Sequence, residues 1–184
     1  MKTYNSFIMF LSDLMFIEMP EIFYCHQGKY YDMFGHDCEP FEIDPAHQVY
    51  IVVDENRIYM NLDGDYDELD LYLEMAHMVR HSGQYQATIQ VGFKDIADPY
   101  MICQWAKEFS ICNTCSADAS REVEKDAAAF TWFIGKAIFN VNIAVDYEND
   151  VIRPYKKNII NSYTLKEIKD CYEYSGHTFP IYKA

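Results

Sequence analysis

Basic residues are scarce in this sequence. Its 184 residues include 15 Lys and Arg against 29 Asp and Glu, which gives a formal net charge of −14. The shortage is confined to residues 1–75, where 16 acidic residues accompany three basic ones, a balance of −13, while residues 76–184 have a balance of −1. This sign of charge disfavours direct binding to nucleic-acid phosphates. It is compatible with a soluble acidic protein or with an acidic face that binds a basic partner.

Long apolar runs are missing as well. No stretch of 18 apolar residues occurs, so the sequence predicts no membrane span. The apolar N-terminal segment is interrupted by Asp13 and Glu18, and it lacks the basic start and the small-residue cleavage site of a secretory signal. We therefore predict a cytoplasmic protein whose six cysteines are reduced thiols.

Several chemical motifs are absent or incomplete. The sequence has no glycine-rich phosphate-binding loop and no nucleophile elbow. It has one CxxC pair, Cys112 and Cys115. This pair is compatible with a zinc knuckle completed by Cys25 and Cys38, with a redox pair, or with free thiols. A structural zinc site of this kind stays an open alternative at this stage.

The composition that remains is typical of one globular domain. Half of the residues are hydrophobic, and the chain contains 16 Tyr and 12 Phe. Apolar periodicity and capping residues predict helices at about residues 5–19, 66–82, 98–109, 121–139 and 164–174, with Ser120 as the N-cap of the fourth.

The remaining segments predict a small amount of sheet. A turn between two β-rich runs predicts a hairpin formed by residues 48–53 and 57–61. Residues 21–46 are expected to form loops with short strands, and residues 141–145 favour a strand within an ambiguous stretch. We therefore expect an α+β fold in which a β-hairpin or small antiparallel sheet packs on several helices, as a single domain over residues 1–184.

Two histidines form the most specific pattern in the chain. His77 and His81 lie four residues apart in the second predicted helix. This spacing places both imidazoles on one helix face, about 6 Å apart, close enough to share a metal ion. The helix predicted at 121–139 offers Glu124 near its start. Two His from one helix and a Glu from another would make a three-ligand zinc site with an open position.

These stretches resemble the small gluzincin-like metallopeptidases of bacteria and their phages. That family commonly has a strand pair, a helix that reads roughly A-H-E-[LMI]-R-H-x-x-Q and a second helix that reads E-x-D-A-x-A-F. Residues 76–84 (AHMVRHSGQ) match the first pattern and residues 124–130 (EKDAAAF) match the second. The resemblance covers about residues 48–135 and implies a zincin-like core at about 48–139.

The resemblance also implies roles for individual residues. His77, His81 and Glu124 would be the metal ligands, and Asp126 would be a neighbouring group that helps to orient one of the ligating histidines. The catalytic position departs from the family pattern, because the Glu that deprotonates the metal-bound water is replaced by Met78. Glu74 is not expected to substitute, since it lies one helical turn, about 5–6 Å, before Met78, and a base must come within about 3 Å of the water.

The first functional hypothesis is therefore a catalytically degenerate zincin that works as an interaction protein. Its charge and size are similar to those of phage-encoded inhibitors of host nucleic-acid enzymes, including anti-CRISPR proteins, which would place it in the host cytosol. The alternatives are an active zinc hydrolase with an unrecognised general base and a metal-dependent structural or sensor module. The sequence also leaves a homodimer open. The acidic residues expected to contact the basic partner precede and begin the second helix: Asp63, Asp65, Asp67, Glu68 and Asp70.

Overall fold

The computed structural model describes residues 2–42, 48–89, 98–111, 120–143 and 149–174. Within these ranges the chain forms six helices and four strands, which is the predicted α+β fold in a single domain. In chain order they are α1 Lys2–Met15, β1 Glu21–His26, β2 Lys29–Asp32, β3 Val49–Val52, β4 Arg57–Asn61, α2 Glu68–Thr88, α3 Pro99–Ile111, α4 Glu122–Ile138, α5 Asn149–Ser162 and α6 Leu165–Tyr174.

The four strands form one sheet in the order β2-β1-β4-β3. The predicted hairpin is confirmed as the antiparallel pair β3–β4, and a second hairpin joins β1 to β2. The two hairpins meet through β1 and β4, which run parallel with Glu21 opposite Arg57. The sheet is therefore mixed: it contains the predicted antiparallel hairpin and one parallel pair that the sequence did not indicate.

The hydrophobic core lies between one face of the sheet and the helices. Alternate strand residues point into it, as the two-residue period of a strand requires. Those that are almost fully buried are Ile22, Tyr24, Val49, Ile51, Ile58 and Met60. Helix α2 is the central element, because it packs against α1, α3, α4 and β3 and fourteen of its 21 residues are buried. Two of the three metal-ligand candidates, His77 and His81, therefore lie on this central helix, and Glu124 lies on α4.

The N-terminus of α4 differs from the prediction. Arg121, not Ser120, occupies the N-cap of α4, and it makes no side-chain capping bond. The carboxylate of Glu108 in α3 caps this helix instead, since it accepts hydrogen bonds from the backbone N–H groups of Glu122 at 2.9 Å and Val123 at 3.0 Å. A cap supplied by another helix leaves no local sequence pattern.

The strand predicted at residues 141–145 is absent from its described part, residues 141–143, while residues 144 and 145 lie outside the described residues. The φ of Asn140, 54°, lies in the left-handed region, and Val141 donates its N–H to the carbonyl of Gly135. Helix α5 follows and was not predicted, because Pro154 lies inside it. In contrast, the capping box of α6 is confirmed by reciprocal hydrogen bonds between Thr164 and Glu167.

None of the helices in the described ranges is both long enough and apolar enough to cross a membrane.

Candidate metal centre

A buried polar stripe runs along one side of α2. It consists of His77, Arg80, His81 and Gln84, whose spacing of i, i+3, i+4 and i+7 defines one face of a helix. Such a stripe is normally apolar where a helix faces a core. Here Arg80, His81 and Gln84 are almost completely buried, so each needs a polar partner from a neighbouring element.

The first turns of α4 supply these partners. Helix α4 packs closely on α2, and residues 127–129 of α4 are buried alanines. Glu124 and Asp126 lie in this part of α4, and both are buried. The acidic groups of one helix thereby face the histidines and the arginine of the other.

The three predicted ligands converge. The Oε2 atom of Glu124 lies 3.0 Å from Nε2 of His77 and 3.4 Å from Nε2 of His81. Potential ligand atoms of all three residues lie within 4.8 Å of one another, and the two imidazole rings are 4.7 Å apart between centroids. Residues 47 positions apart in sequence thus form one group that could hold a metal ion.

The dimensions of this group fit a small divalent cation. Tetrahedral ligands at zinc–nitrogen distances of about 2.0–2.1 Å lie about 3.3 Å from each other, close to the two distances from Glu124 Oε2. The other carboxylate oxygen of Glu124 is buried and has no hydrogen-bond partner within the described part of the chain. The side chain of His77 is 23% exposed, so the cluster is open to solvent on the His77 side.

Electrostatics keep the carboxylate ionised. Burial raises the pKa of Glu124, but its interactions with His77 and His81, above all the hydrogen bond with His77 Nε2, outweigh this effect, and the pKa lies well below its usual range. Burial lowers the pKa of His77 and outweighs its hydrogen bond to Glu124. An ionised carboxylate beside a His77 imidazole that resists protonation is a state in which both residues can bind a cation.

The two residues considered for the role of catalytic base, Met78 and Glu74, are described by the structure but are not part of the cluster. Met78 is almost fully buried and belongs to the hydrophobic core cluster. Glu74 is half-buried and is not a member of the His77–His81–Glu124 cluster. Neither residue is therefore placed with the ligands.

Asp126 lies next to the site but does not contact a histidine ligand in any described hydrogen bond. It accepts two hydrogen bonds from Arg80, at 2.8 Å from Nε and 3.1 Å from Nη2, and a third from Gln84 Nε2 at 2.7 Å. Gln84 Oε1 lies 2.8 Å from Nδ1 of His81. The predicted link between Asp126 and a ligating His therefore exists only through Gln84.

Arg80 and Gln84 were given no role by the sequence analysis, although both belong to the matched helix pattern. The signal that could have identified them is the polar stripe at i, i+3, i+4 and i+7 on a helix that is otherwise apolar. Tyr163 was also missed. Its hydroxyl accepts a hydrogen bond from Arg80 Nη1 at 3.1 Å, and no local pattern at the end of α5 announces this contact.

The five acidic residues predicted to bind a partner are all exposed. Two of them have local structural roles. Asp63 accepts hydrogen bonds from the backbone N–H groups of Gln27 and Gly28 in the β1–β2 turn, and Asp67 is the N-cap of α2, accepting from Leu69 N at 2.7 Å. Asp65, Glu68 and Asp70 make no such contact among the interactions described, so these three carry the partner hypothesis.

The structure describes two of the four cysteines considered for a zinc knuckle or a redox pair. Cys25 is buried, with its Sγ 3.5 Å from Asp63 Oδ2, and Cys38 is half-buried; both are free thiols. Burial raises the pKa of the Cys25 thiol, which disfavours the thiolate that a zinc knuckle needs. Cys112 and Cys115 lie outside the described residues.

Comparison with known proteins adds no family. No protein-family model matches the chain, and no curated protein or solved structure matches it.

Proposed function

We propose that this chain is a zinc-binding, zincin-like protein that has lost peptidase chemistry and acts by binding a basic partner. The observation that carries the proposal is the convergence of His77, His81 and Glu124, together with the burial of Met78 at the position of the missing base. The site keeps a donor set for a metal and lacks the group that would use it for hydrolysis.

Zinc is the metal that this donor set favours. Two imidazole nitrogens and one carboxylate oxygen form the ligand set of the His₂Glu zinc enzymes, and imidazole suits borderline cations better than calcium or magnesium. When bound, zinc would supply a Lewis acid with one open coordination position. The chain's own residues would hold it between α2 and α4 and leave that position accessible beside His77.

The absence of a base favours binding over catalysis. General-base catalysis contributes on the order of 10²–10⁴ in rate and requires a proton acceptor within about 3 Å of the attacking water. Met78 has no such acceptor. Glu74, the nearest alternative in sequence, does not join the ligand cluster.

The partner is inferred from charge. The excess of acidic residues in positions 1–75, with Asp65, Glu68 and Asp70 exposed at the start of α2, is complementary to a basic protein surface. A nucleic-acid enzyme has such a surface where it grips DNA or RNA. A cytoplasmic inhibitor of a host nuclease, of the kind that anti-CRISPR proteins represent, is the form of this proposal that the charge favours.

Elemental analysis of the purified protein tests the metal site. After expression with abundant zinc, we expect about one zinc per chain in the wild type and none in His77→Ala, which removes a ligand that is partly exposed. His36→Ala is the matched control, because His36 is exposed and bonded to Asp32 away from the site, and it should retain the metal. A wild-type protein without zinc under these conditions would overturn the metal assignment.

A further inference from the structure

Four buried side chains form a series of contacts that runs from an ion pair to a proposed metal ligand. Arg80 donates to Asp126, Gln84 donates to the same carboxylate, and Gln84 Oε1 faces Nδ1 of His81 at 2.8 Å. Arg80, His81 and Gln84 come from α2, and Asp126 comes from α4. The chain of contacts is buried from end to end, so the protein itself must satisfy each donor and acceptor.

The orientation of the Gln84 amide is fixed by its surroundings. Its Nε2 lies 2.9 Å from the carbonyl oxygen of Val123 and 2.7 Å from Oδ2 of Asp126. Both neighbours are acceptors only, so a flipped amide would place its oxygen against two other oxygens. The nitrogen therefore faces α4 and donates both of its protons, and the oxygen faces His81.

This orientation determines which nitrogen of His81 carries the proton. An amide oxygen can only accept, so Nδ1 of His81 must be the donor in their contact. In a neutral imidazole the lone pair then lies on Nε2, the atom 3.4 Å from Glu124 Oε2. We infer that Gln84 is a positioning residue that holds His81 in the Nδ1–H tautomer and thereby makes Nε2 the metal-binding atom. This inference rests on the proposed metal site for its functional meaning.

Removal of Gln84 should reverse the tautomer. The side chain of His81 is completely buried, so bulk solvent does not reach Nδ1 to replace the lost acceptor. The carboxylate of Glu124 lies 3.4 Å from the other nitrogen and would favour a proton on Nε2. A proton there occupies the position that a metal ion needs.

Asp126 and Arg80 hold Gln84 in place from the side opposite His81. Asp126 is held by two hydrogen bonds from Arg80, and the guanidinium is fixed in turn by Tyr163 and by the ring of Phe130, 5.1 Å from its central carbon. An amide between this ion pair and His81 transmits orientation without adding a second carboxylate beside Glu124. The arrangement thus fixes the imidazole and leaves the charge of the ligand set unchanged.

Nitrogen-15 NMR of the histidine side chains in metal-free protein tests the inference. Protonated and unprotonated ring nitrogens have different shifts, so the tautomer of His81 is read directly. We expect Nδ1–H in the wild type and a shift towards Nε2–H in Gln84→Met. Gln86→Met is the matched control, because Gln86 is a buried glutamine on the same helix that bonds Glu18 and Ser82 instead of the site. It should keep the wild-type tautomer.

Zinc titration of the same three proteins gives the second readout. Loss of a group that orients a ligating histidine typically weakens metal affinity by about 10–100-fold, and we expect this for Gln84→Met but not for Gln86→Met. An Nε2–H tautomer in the wild type would overturn the role of Gln84, and this measurement needs no variant to fold. An unchanged tautomer in folded Gln84→Met would overturn it equally. Expected tautomers with no zinc binding by the wild type would instead support Gln84 as the positioning residue and reject the zinc assignment.

Discussion

At the scale of single residues, Met78 is the position at which the two proposed functions, hydrolase and binding protein, differ in what they predict. Its thioether stands where a zinc peptidase has a carboxylate, and it is packed in the hydrophobic core. We therefore expect the wild type to show no chelator-sensitive cleavage in a broad peptide-library digest, whether or not zinc is added. Met78→Glu is the comparison, with circular dichroism to confirm that it folds. Cleavage by the wild type that a chelator abolishes would favour an active hydrolase with an unrecognised base.

The Arg80–Asp126 pair makes a prediction about stability. Both side chains are at least 98% buried and joined by two hydrogen bonds, so removing one partner leaves an uncompensated buried charge. We expect Arg80→Met and Asp126→Leu each to lower the free energy of unfolding by about 3–5 kcal/mol, as measured by urea denaturation. The double variant should lose clearly less than the sum, because the two charges disappear together.

The exposed pair Arg153–Asp150 is the control for that cycle. Its side chains are 75% and 84% exposed, so Arg153→Met and Asp150→Leu should change stability little and additively. Additive losses at Arg80 and Asp126 would mean that the buried pair is not coupled as the structure indicates.

The sequence predicted the three candidate metal ligands, but it did not predict the side chains that hold them in place. The spacing of His77 and His81 and the order of the two motifs were enough to select Glu124 as well. The roles of Gln84, Asp126 and Tyr163 depend on how α2, α4 and the end of α5 pack together. A one-dimensional pattern does not contain that packing, so the contact between Asp126 and Gln84 could not be predicted from it.

At the scale of elements, Gly135 shows how α4 fits its neighbours. A Cβ atom at this position would lie 2.5 Å from Cδ1 and 2.9 Å from Cγ1 of Ile143, and 3.4 Å from Cδ2 of Leu73. Glycine costs a helix interior about 1 kcal/mol relative to alanine, so its presence inside α4 reflects this close approach. Glycine at position 135 therefore leaves the space that the Ile143 side chain occupies.

We predict that Gly135→Ala lowers the unfolding free energy by about 1–2 kcal/mol in urea denaturation. Overpacking against Ile143 typically costs about 1–3 kcal/mol, which exceeds the gain in helix propensity. In an Ile143→Ala background the added methyl has room, so the same substitution should become neutral or stabilising. A loss of equal size in both backgrounds would place the strain elsewhere.

The elements themselves divide into those set by local sequence and those set by packing. The hairpin β3–β4 and the helices α1 to α4 and α6 follow from turns, apolar periodicity and caps, and the sequence predicts them. Helix α5 contains Pro154 and follows a β-rich run, so local propensity favours the wrong state there. The parallel pairing of β1 with β4 joins strands 36 positions apart. The two strands are not connected by a tight turn, so no local sequence pattern predicts how they pair.

At the scale of the whole molecule, the acidic residues and the candidate metal site lie in different parts of the fold. The segment with a balance of −13 forms the sheet and the start of α2. The His77–His81–Glu124 group, which could hold a metal ion, lies between α2 and α4. Part of the acidic segment stabilises the fold, since Asp63 and Asp67 satisfy backbone N–H groups. A variant that reverses these two residues would therefore mix loss of structure with loss of binding.

The last prediction uses only the acids without such contacts. Binding to a basic partner, captured from a bacterial host lysate after nuclease treatment, should depend on Asp65, Glu68 and Asp70. Reversing all three to Lys should slow association by about tenfold or more at low salt, because surface charges act mainly through electrostatic steering. The difference should shrink at high salt, since the Debye length falls from about 10 Å at 0.1 M to about 3 Å at 1 M.

Surface-plasmon kinetics at two salt concentrations measure this effect. The matched control reverses three exposed acids of the C-terminal half, Asp150, Asp170 and Glu173, which changes the net charge by the same amount at a different place. If both triple variants slow association equally, overall charge and not the start of α2 governs encounter. If neither variant nor salt changes the association rate, the partner does not recognise an acidic face. Slowing confined to the first variant, together with competition by DNA for the same partner, would place the interaction on the acidic start of α2.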